Sequence, residues 1–236
     1  MQAVTRTAGE SYARRRDALL EYFDRTAVDA WRRLTSDAPV SRIRATVRAG
    51  RDEMRATLLG WLPDDMTGAR VLDAGCGTGA LAVEAARRGA DVVAVDLSPT
   101  LTGLAQERLP DGLKGRVTFR VGDMDDPALG RFDYVVAMDS LIHYRHDDAA
   151  RVIAALAART GERMLFTFAP RTPMLAAMHA VGQAFPRGNR SPAIEPIGER
   201  ALRRRLAASV GADGIGRTHR VSRGFYISQA LEVVAR

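Results

Sequence analysis

Apolar positions along the chain change their period twice. Up to about residue 65 the spacing is helical: Ile43, Val47, Met54, Leu58 and Leu62 fall close to one helical face. Ahead of them, Tyr22, Phe23, Val28, Trp31 and Leu34 form an aromatic-rich stretch. From Ala69 onward, short apolar runs alternate with helical segments. Arg70-Val71-Leu72-Asp73, Asp91 to Asp96, Val117 to Val121, Phe132 to Met138 and Arg163 to Phe168 read as five strands. Thr78 to Arg88, a segment opened by Ser98-Pro99, and Asp147 to Ala158 read as the helices between them. That alternation predicts a parallel sheet with helices on both faces.

The rhythm breaks at 171–197, which holds four prolines and two glycines. This is too long for an ordinary connection and reads as a lid insertion near the mouth of a site. A helix from Gly198 to Ser209 comes next, then two strands, Arg217 to Val221 and Phe225 to Val234. The expected organisation is an N-terminal helical arm or cap over 1–65 and one α/β domain over 66–236 carrying the lid.

Chemistry enters between the first strand and its helix. Asp73-Ala74-Gly75-Cys76-Gly77-Thr78-Gly79 is a glycine loop, where missing Cβ atoms allow a sharp turn and close approach of a ligand. A dinucleotide fingerprint usually reads Gly-x-Gly-x-x-Gly; this loop reads Gly-x-Gly-x-Gly with an aspartate two residues ahead. Asp96 ends the second strand roughly twenty residues on, placed to accept from two ribose hydroxyls, with Leu97 beside it. Asp123 comes after the third strand, as in methyltransferases whose carboxylate accepts from an adenine amino group, and Met124 would flank the ring. Asp73 would hold the amino-acid end of the cofactor, with Met138 nearby. Together these imply a class I S-adenosylmethionine-dependent methyltransferase, a Rossmann-like fold whose resemblance extends the five strands to a seven-stranded sheet. A nicotinamide enzyme is the competing reading of the loop alone.

Composition narrows the setting. The 236 residues are 46% hydrophobic, enough for a sizeable core. No apolar run reaches the length of about eighteen residues that a membrane helix needs, and no signal-peptide core precedes Arg14-Arg15-Arg16, so a cytoplasmic protein is expected. Cys76 is the single cysteine. It sits in the glycine loop as a small packing residue at the cofactor, not a nucleophile or a member of a metal site, and no metal is assigned to the protein. The formal charge is +7, carried almost wholly by arginine. No zinc finger or RNA-recognition signature accompanies it, and no nucleic-acid partner is expected.

The acceptor is read from other segments. No Asn-Pro-Pro-Tyr stands after the fourth strand, which argues against amide or adenine-amino methylation. That strand runs instead into Met138-Asp139-Ser140-Leu141-Ile142-His143-Tyr144. With Glu21 to Arg33, Thr167 to Leu175 and Arg223 to Ser228, this segment resembles the magnesium-protoporphyrin IX O-methyltransferases of chlorophyll and bacteriochlorophyll synthesis. Ala27 stands where that pattern leads one to expect glycine. The resemblance implies methyl transfer to one propionate carboxylate of magnesium-protoporphyrin IX. It also implies contact with the porphyrin-binding subunit of magnesium chelatase and peripheral contact with photosynthetic membranes. By the same resemblance, Tyr22 and His143 are the candidate catalytic residues; His146, His179 and His219 have weaker claims, and none is assigned to the porphyrin magnesium.

A propionate with a pKa near ~4.5 is ionised at neutral pH, so no strong base is required. The protein must instead desolvate the carboxylate and align one oxygen behind the methyl group, at roughly 3–3.5 Å. An arginine on the reacting oxygen would lower its nucleophilicity, whereas neutral donors orient it at less cost. In the insertion, Met174, Met178 and Phe185 are candidates to cover a macrocycle, and Arg171, Arg187 and Arg190 to meet the second propionate. Two other readings remain: an O-methyltransferase for another hydrophobic acid or phenol such as a quinone precursor, and a non-catalytic S-adenosylmethionine-binding subunit.

Overall fold

The computed structural model describes residues 8–26, 41–172 and 194–235. Strands β1 (Arg70–Ala74), β2 (Asp91–Asp96), β3 (Arg116–Val121), β4 (Phe132–Ala137), β5 (Thr160–Phe168), β6 (Ile215–Arg223) and β7 (Tyr226–Val234) form one sheet in the order β3-β2-β1-β4-β5-β7-β6. The first five pair in parallel, and β7 runs antiparallel between β5 and β6. The strand order reverses between β1 and β4. Loops leaving these neighbours at their carboxyl ends depart in opposite directions and open a crevice, where this class of sheet binds ligands.

Alternation along each strand feeds two cores. Leu72, Ala74, Val135 and Phe166 face one side with α1 (Ala8–Glu21), α5 (His146–Ala157) and α6 (Glu199–Val210). Val71, Val92, Val136 and Leu165 face the other with α2 (Arg42–Leu59) and α3 (Ala80–Arg87). Because both faces are covered at the centre of the sheet, β1, β2 and β4 are mostly apolar, whereas the edge strands β3 and β6 carry exposed polar residues. The remaining helix, α4 (Pro99–Glu107), starts as the sequence predicts: Ser98 Oγ accepts from the Leu101 amide and Pro99 occupies the first turn.

Several boundaries differ from expectation for local reasons. Gly79 takes a left-handed conformation (φ 77°) as the cap of α3, so that helix begins at Ala80 and the glycine loop is longer than expected. Strand β5 starts at Thr160, pairing with Phe132. Phe225 lies in the turn before β7 and is 52 % exposed. Ile43 is corrected from core to surface at 53 % exposed, because the first turn of α2 lies outside the core and the buried positions of the helix are Gly50, Met54, Leu58 and Leu59. Leu62 is buried, but in the turn beyond the helix. Val28, Trp31, Leu34 and the interior of the expected lid, with Met174, Met178, His179, Phe185, Arg187 and Arg190, lie outside the described residues. The segments flanking that interior meet at a bridge between Pro170 and Ile197, and Glu195 donates its amide to Ile142 O at 2.8 Å.

Helix α2 crosses the C-terminal hairpin at Gly50. A Cβ there would overlap the Tyr226 ring, with Tyr226 Cγ at 2.7 Å and Cβ at 2.8 Å. Gly50→Ala therefore sets two effects against each other. Helix propensity gains up to ~1 kcal/mol, while overpacking against the base of a buried ring costs about 1–3 kcal/mol. Net destabilisation of up to about 2 kcal/mol is expected in denaturant unfolding once the propensity gain is subtracted; a rise in stability would show that α2 does not dock this closely.

Candidate active site

A cavity of 330 Å³ opens where β1, β2, β3 and β4 end, between α1 on one side and α2 on the other. The sequence-predicted residues Asp73, Gly75, Cys76, Gly77, Asp96, Leu97, Asp123, Met124, Met138 and His143 all line it.

Asp73, at the end of β1, is 2 % exposed, and its Oδ2 has no hydrogen-bond partner among the described residues. Burial, reinforced by the charge of Asp96, pushes its carboxyl up to about 7. A buried acceptor without a donor is a place for a cationic ligand group, which would draw the proton off. Gly75 (φ 83°) passes so close to Ser140 that a Cβ would overlap the serine. Asp96 accepts from the Gly77 amide at 2.8 Å and the Ser98 amide at 3.0 Å, holding the glycine loop against the end of β2. Burial raises its carboxyl above the ordinary range, although those amides oppose the shift. Each of its oxygens keeps a lone pair for a ligand hydroxyl. Burial raises the Cys76 thiol well above its ordinary value, with Asp73 and Asp96 adding to the effect, so it stays protonated.

Asp123 is engaged by the arm. Its Oδ1 accepts from Tyr12 Oη at 2.6 Å, and Arg16 Nη1 stands 3.4 Å from Oδ2. The Tyr12 ring stacks on Tyr144 with centroids 4.8 Å apart, and the Arg151 guanidinium lies 4.8 Å from its centre. Sequence reading missed Tyr12. Its signal was the face Tyr12, Arg16 and Leu19, spaced as helical neighbours.

After α1 the backbone widens into a π-turn over Tyr22–Thr26, a form frequent at functional sites. Asp24 anchors it at the start of α4, accepting from Thr100 Oγ1 at 2.6 Å and Ser98 Oγ at 3.1 Å. That anchor places Phe23 on the cavity wall. Phe23 meets His143 edge-on at 5.9 Å, and Tyr22 meets Phe23 edge-on at 5.2 Å. Tyr22 is half-buried and is not among the described residues that line the cavity. His143 is 7 % exposed in the turn Leu141–His143. His146 begins α5 and His219 is exposed on β6; neither lines the cavity. Arg171 is exposed and does not line it either.

Two further residues escaped the sequence reading. Ser140 lines the cavity with its Oγ buried and without a hydrogen-bond partner among the described residues. Asp139 has φ 55°, the one positive value at a non-glycine residue among those described. Its carboxylate receives Arg51 Nη1 at 2.9 Å, Tyr226 Oη at 3.0 Å, Thr167 Oγ1 at 3.1 Å and Ser228 Oγ at 3.2 Å. The left-handed turn it makes directs the chain from β4 toward Ser140 and His143.

The geometry meets a family at this point. A family model described as magnesium-protoporphyrin IX methyltransferase C-terminus matches residues 137–235, and one described as methyltransferase domain matches 71–161. Magnesium-protoporphyrin O-methyltransferase of Rhodobacter capsulatus is 56% identical over 222 residues, covering 94% of this chain and 97% of that protein. The chain belongs to the magnesium-protoporphyrin IX methyltransferase family. The crystal structure of a Synechocystis PCC 6803 magnesium protoporphyrin IX methyltransferase with bound SAH superposes with a TM-score of 0.80 at 32% identity, covering 93% of this chain and 99% of that one. A ubiquinone biosynthesis O-methyltransferase of Xanthomonas oryzae is 36% identical, but over only 51% of this chain and 52% of its own length.

The raised Asp73 carboxyl fixes a sign for stability. The folded protein holds this proton up to about pH 7, the unfolded chain only to about 4. Stability from this group is therefore greatest below pH ~4 and is lost as pH rises toward 7. Without ligand, Asp73→Asn is expected to unfold at higher temperature than wild type at pH 8, by up to ~4 kcal/mol in stability, and the gap should close toward pH 4. Thermal unfolding at both pH values checks this; a gap independent of pH would show that Asp73 is not the titrating group.

Proposed function

We propose that this protein transfers the methyl group of S-adenosylmethionine to one propionate carboxylate of magnesium-protoporphyrin IX, giving the monomethyl ester. The observation that carries the reading is the relationship along nearly the whole chain, arm and C-terminal hairpin included. The quinone-type relative matches only about half the chain, which argues against a quinone precursor as acceptor. The intact glycine loop argues against a non-catalytic subunit.

The residues present fit the cofactor: Asp73 offers its unpartnered oxygen to the ammonium end, Asp96 its lone pairs to the ribose, and Met124 and Met138 apolar contact. Bound there, S-adenosylmethionine supplies a methyl carbon made electrophilic by its sulfonium. The acceptor carboxylate is already ionised and needs no base, so no proton has to move for the ester oxygen–methyl bond to form. The protein's work is orientation and exclusion of water. Phe23, Leu19 and Leu20 supply apolar wall. His143, and Ser140 with its spare hydroxyl, supply donors that orient the oxygen without the permanent charge of an arginine. Tyr22, one ring behind Phe23, reaches the acceptor only by a turn of its side chain or of the arm.

The porphyrin-binding subunit of magnesium chelatase and the surface of a photosynthetic membrane are the partners this reading implies, with the protein otherwise cytoplasmic. The +7 charge is consistent with an anionic surface, and no helix among the described residues is long and apolar enough to cross a membrane. Sedimentation with anionic lipid vesicles, and with the chelatase subunit, tests both; absence from the pellet or complex at low salt would remove them.

The expected assay result is methylation of magnesium-protoporphyrin IX well ahead of metal-free protoporphyrin and of a quinone precursor. Tyr22→Phe and His143→Phe are each expected to cut kcat by about 10- to 100-fold while calorimetric affinity for S-adenosylmethionine stays near wild type. Wild-type turnover in both variants would refute the two assignments.

A further inference from the structure

Of the three carboxylates on the cavity floor, Asp123 is the one that helix α1 reaches, and its two oxygens are used unequally. Oδ1 accepts from Tyr12 Oη at 2.6 Å and from the Asp125 amide at 3.0 Å, which takes up both of its lone pairs. Oδ2 meets Arg16 Nη1 at 3.4 Å, longer than a good charge-assisted bond. That guanidinium directs its Nε and Nη2 to Asp17 instead, at 3.0 and 2.9 Å. Oδ2 is therefore the oxygen with capacity for a ligand donor. Asp123 lines the cavity and Tyr12 does not, so Tyr12 acts on a ligand there through Asp123.

The hydroxyl that fills Oδ1 is held firmly. The Tyr12 ring is buried, stacks on Tyr144 with planes 21° apart, and carries the Arg151 guanidinium 4.8 Å from its centre. Arg151 also pairs with Asp125 at 2.6 Å, the residue whose amide is the other donor to Oδ1. Tyr12, Arg151, Asp125 and Asp123 thus close a circuit, which ties the position of one donor to that of the other. Behind the circuit, the Arg159 guanidinium donates to the carbonyls of Met124 and Asp126 and pins the same loop. Burial pushes the Tyr12 phenol well above its ordinary value, so the hydroxyl keeps its proton and donates.

A carboxylate fixed in this way is selective. Its remaining oxygen offers lone pairs only and takes a donor. Adenine presents an exocyclic amino group, which donates. Hypoxanthine has a carbonyl at that position, which would set lone pairs against lone pairs, and a buried mismatch of this kind is what rejects a ligand. The rejection depends on the carboxylate staying where it is. Once free to turn, it relieves the repulsion or admits a bridging water.

We propose that Tyr12 is a positioning residue for base selection in the cofactor site: its hydroxyl saturates Asp123 Oδ1 and reserves Oδ2 for the adenine amino group. The inference rests on the reading of Asp123 as the adenine-binding carboxylate. It gives the N-terminal arm a part in choosing the methyl donor, in addition to walling the acceptor side of the cavity.

The test measures calorimetric affinities of the full chain for S-adenosylhomocysteine and for its deaminated analogue, S-inosylhomocysteine. Wild type is expected to favour the adenine ligand by roughly 10- to 100-fold, the range set by one mismatched contact to a charged group. Tyr12→Phe keeps the ring and its stacking. It is expected to reduce the preference to about threefold or less, by weakening S-adenosylhomocysteine, while S-inosylhomocysteine stays within about twofold of wild type. Arg151→Gln, which loosens both donors without altering Asp123, is expected to lower the preference in the same direction, and it carries the test should Tyr12→Phe not fold. Asp123→Asn, whose amide can donate to a carbonyl, is expected to abolish or reverse the preference. Equal weakening toward both ligands in a folded Tyr12→Phe would show a merely structural residue and overturns the proposal. Tighter binding of S-adenosylhomocysteine would show that Tyr12 competes with the base, and also overturns it. A full preference in Tyr12→Phe, with the preference lost in Asp123→Asn, sinks the role of Tyr12 alone. A full preference in Asp123→Asn, or none in wild type, sinks the adenine reading of Asp123 and this inference with it.

Discussion

The carboxylate of Asp139 is the constraint on which the site's architecture turns. It is nearly buried, carries a negative charge, and sits at a backbone angle that non-glycine residues rarely adopt. Burying such a charge is tolerable only with full compensation, and the compensation comes from three elements: Arg51 of α2, Thr167 of β5, and Tyr226 and Ser228 of β7. Burial, with the charge of Asp139 next, raises the Tyr226 phenol well above its ordinary value, so it remains a donor. The same contacts bind α2 to the C-terminal hairpin and fix where β4 hands over to the loop of Ser140 and His143.

The two halves of the cavity divide the labour. The ends of β1, β2 and β3 present Asp73, Asp96 and Asp123, a negative and polar floor complementary to a cationic nucleoside. The walls above them come from segments outside the alternating βα pattern. Helix α1 covers Asp123 with Tyr12, the π-turn hangs Phe23 from Asp24, and α2 lays a cationic face along the rim. The floor is rigid because strands pair beneath it. The walls are held by a few polar contacts, so acceptor specificity can change without disturbing the floor.

Legibility in the sequence divides along the same line. Periodicity and the glycine loop exposed the strands of the sheet and the three aspartates, because each depends on residues near one another in the chain. Ile43 was misjudged because a helical period shows a face and not how much of it is covered. Tyr12 was overlooked because its partner Asp123 is 111 residues away. Ser140 was invisible as a spare donor, since an unpartnered hydroxyl is a property of packing. The arginines of α2 carried no signal, because the wall they face is set by where α2 crosses the hairpin at Gly50. Even Asp139, which stood in plain view beside Met138, gave no sign of its role, because all four of its partners come from other elements.

Those long separations bear on how the protein comes into being. Arg51 lies 88 residues before Asp139, Tyr226 lies 87 after it and Ser228 89 after it. Contacts between such distant parts of a chain form late, because closing the loops costs entropy before any contact rewards it. A growing polypeptide that has passed β4 already contains the glycine loop and every cofactor-facing carboxylate. It still lacks the two hydroxyls of β7 that settle Asp139, and with them the path of the chain into Ser140 and His143. The order in which the strands emerge therefore puts the cofactor-facing carboxylates into the chain before the groups that fix the other side of the cavity mouth.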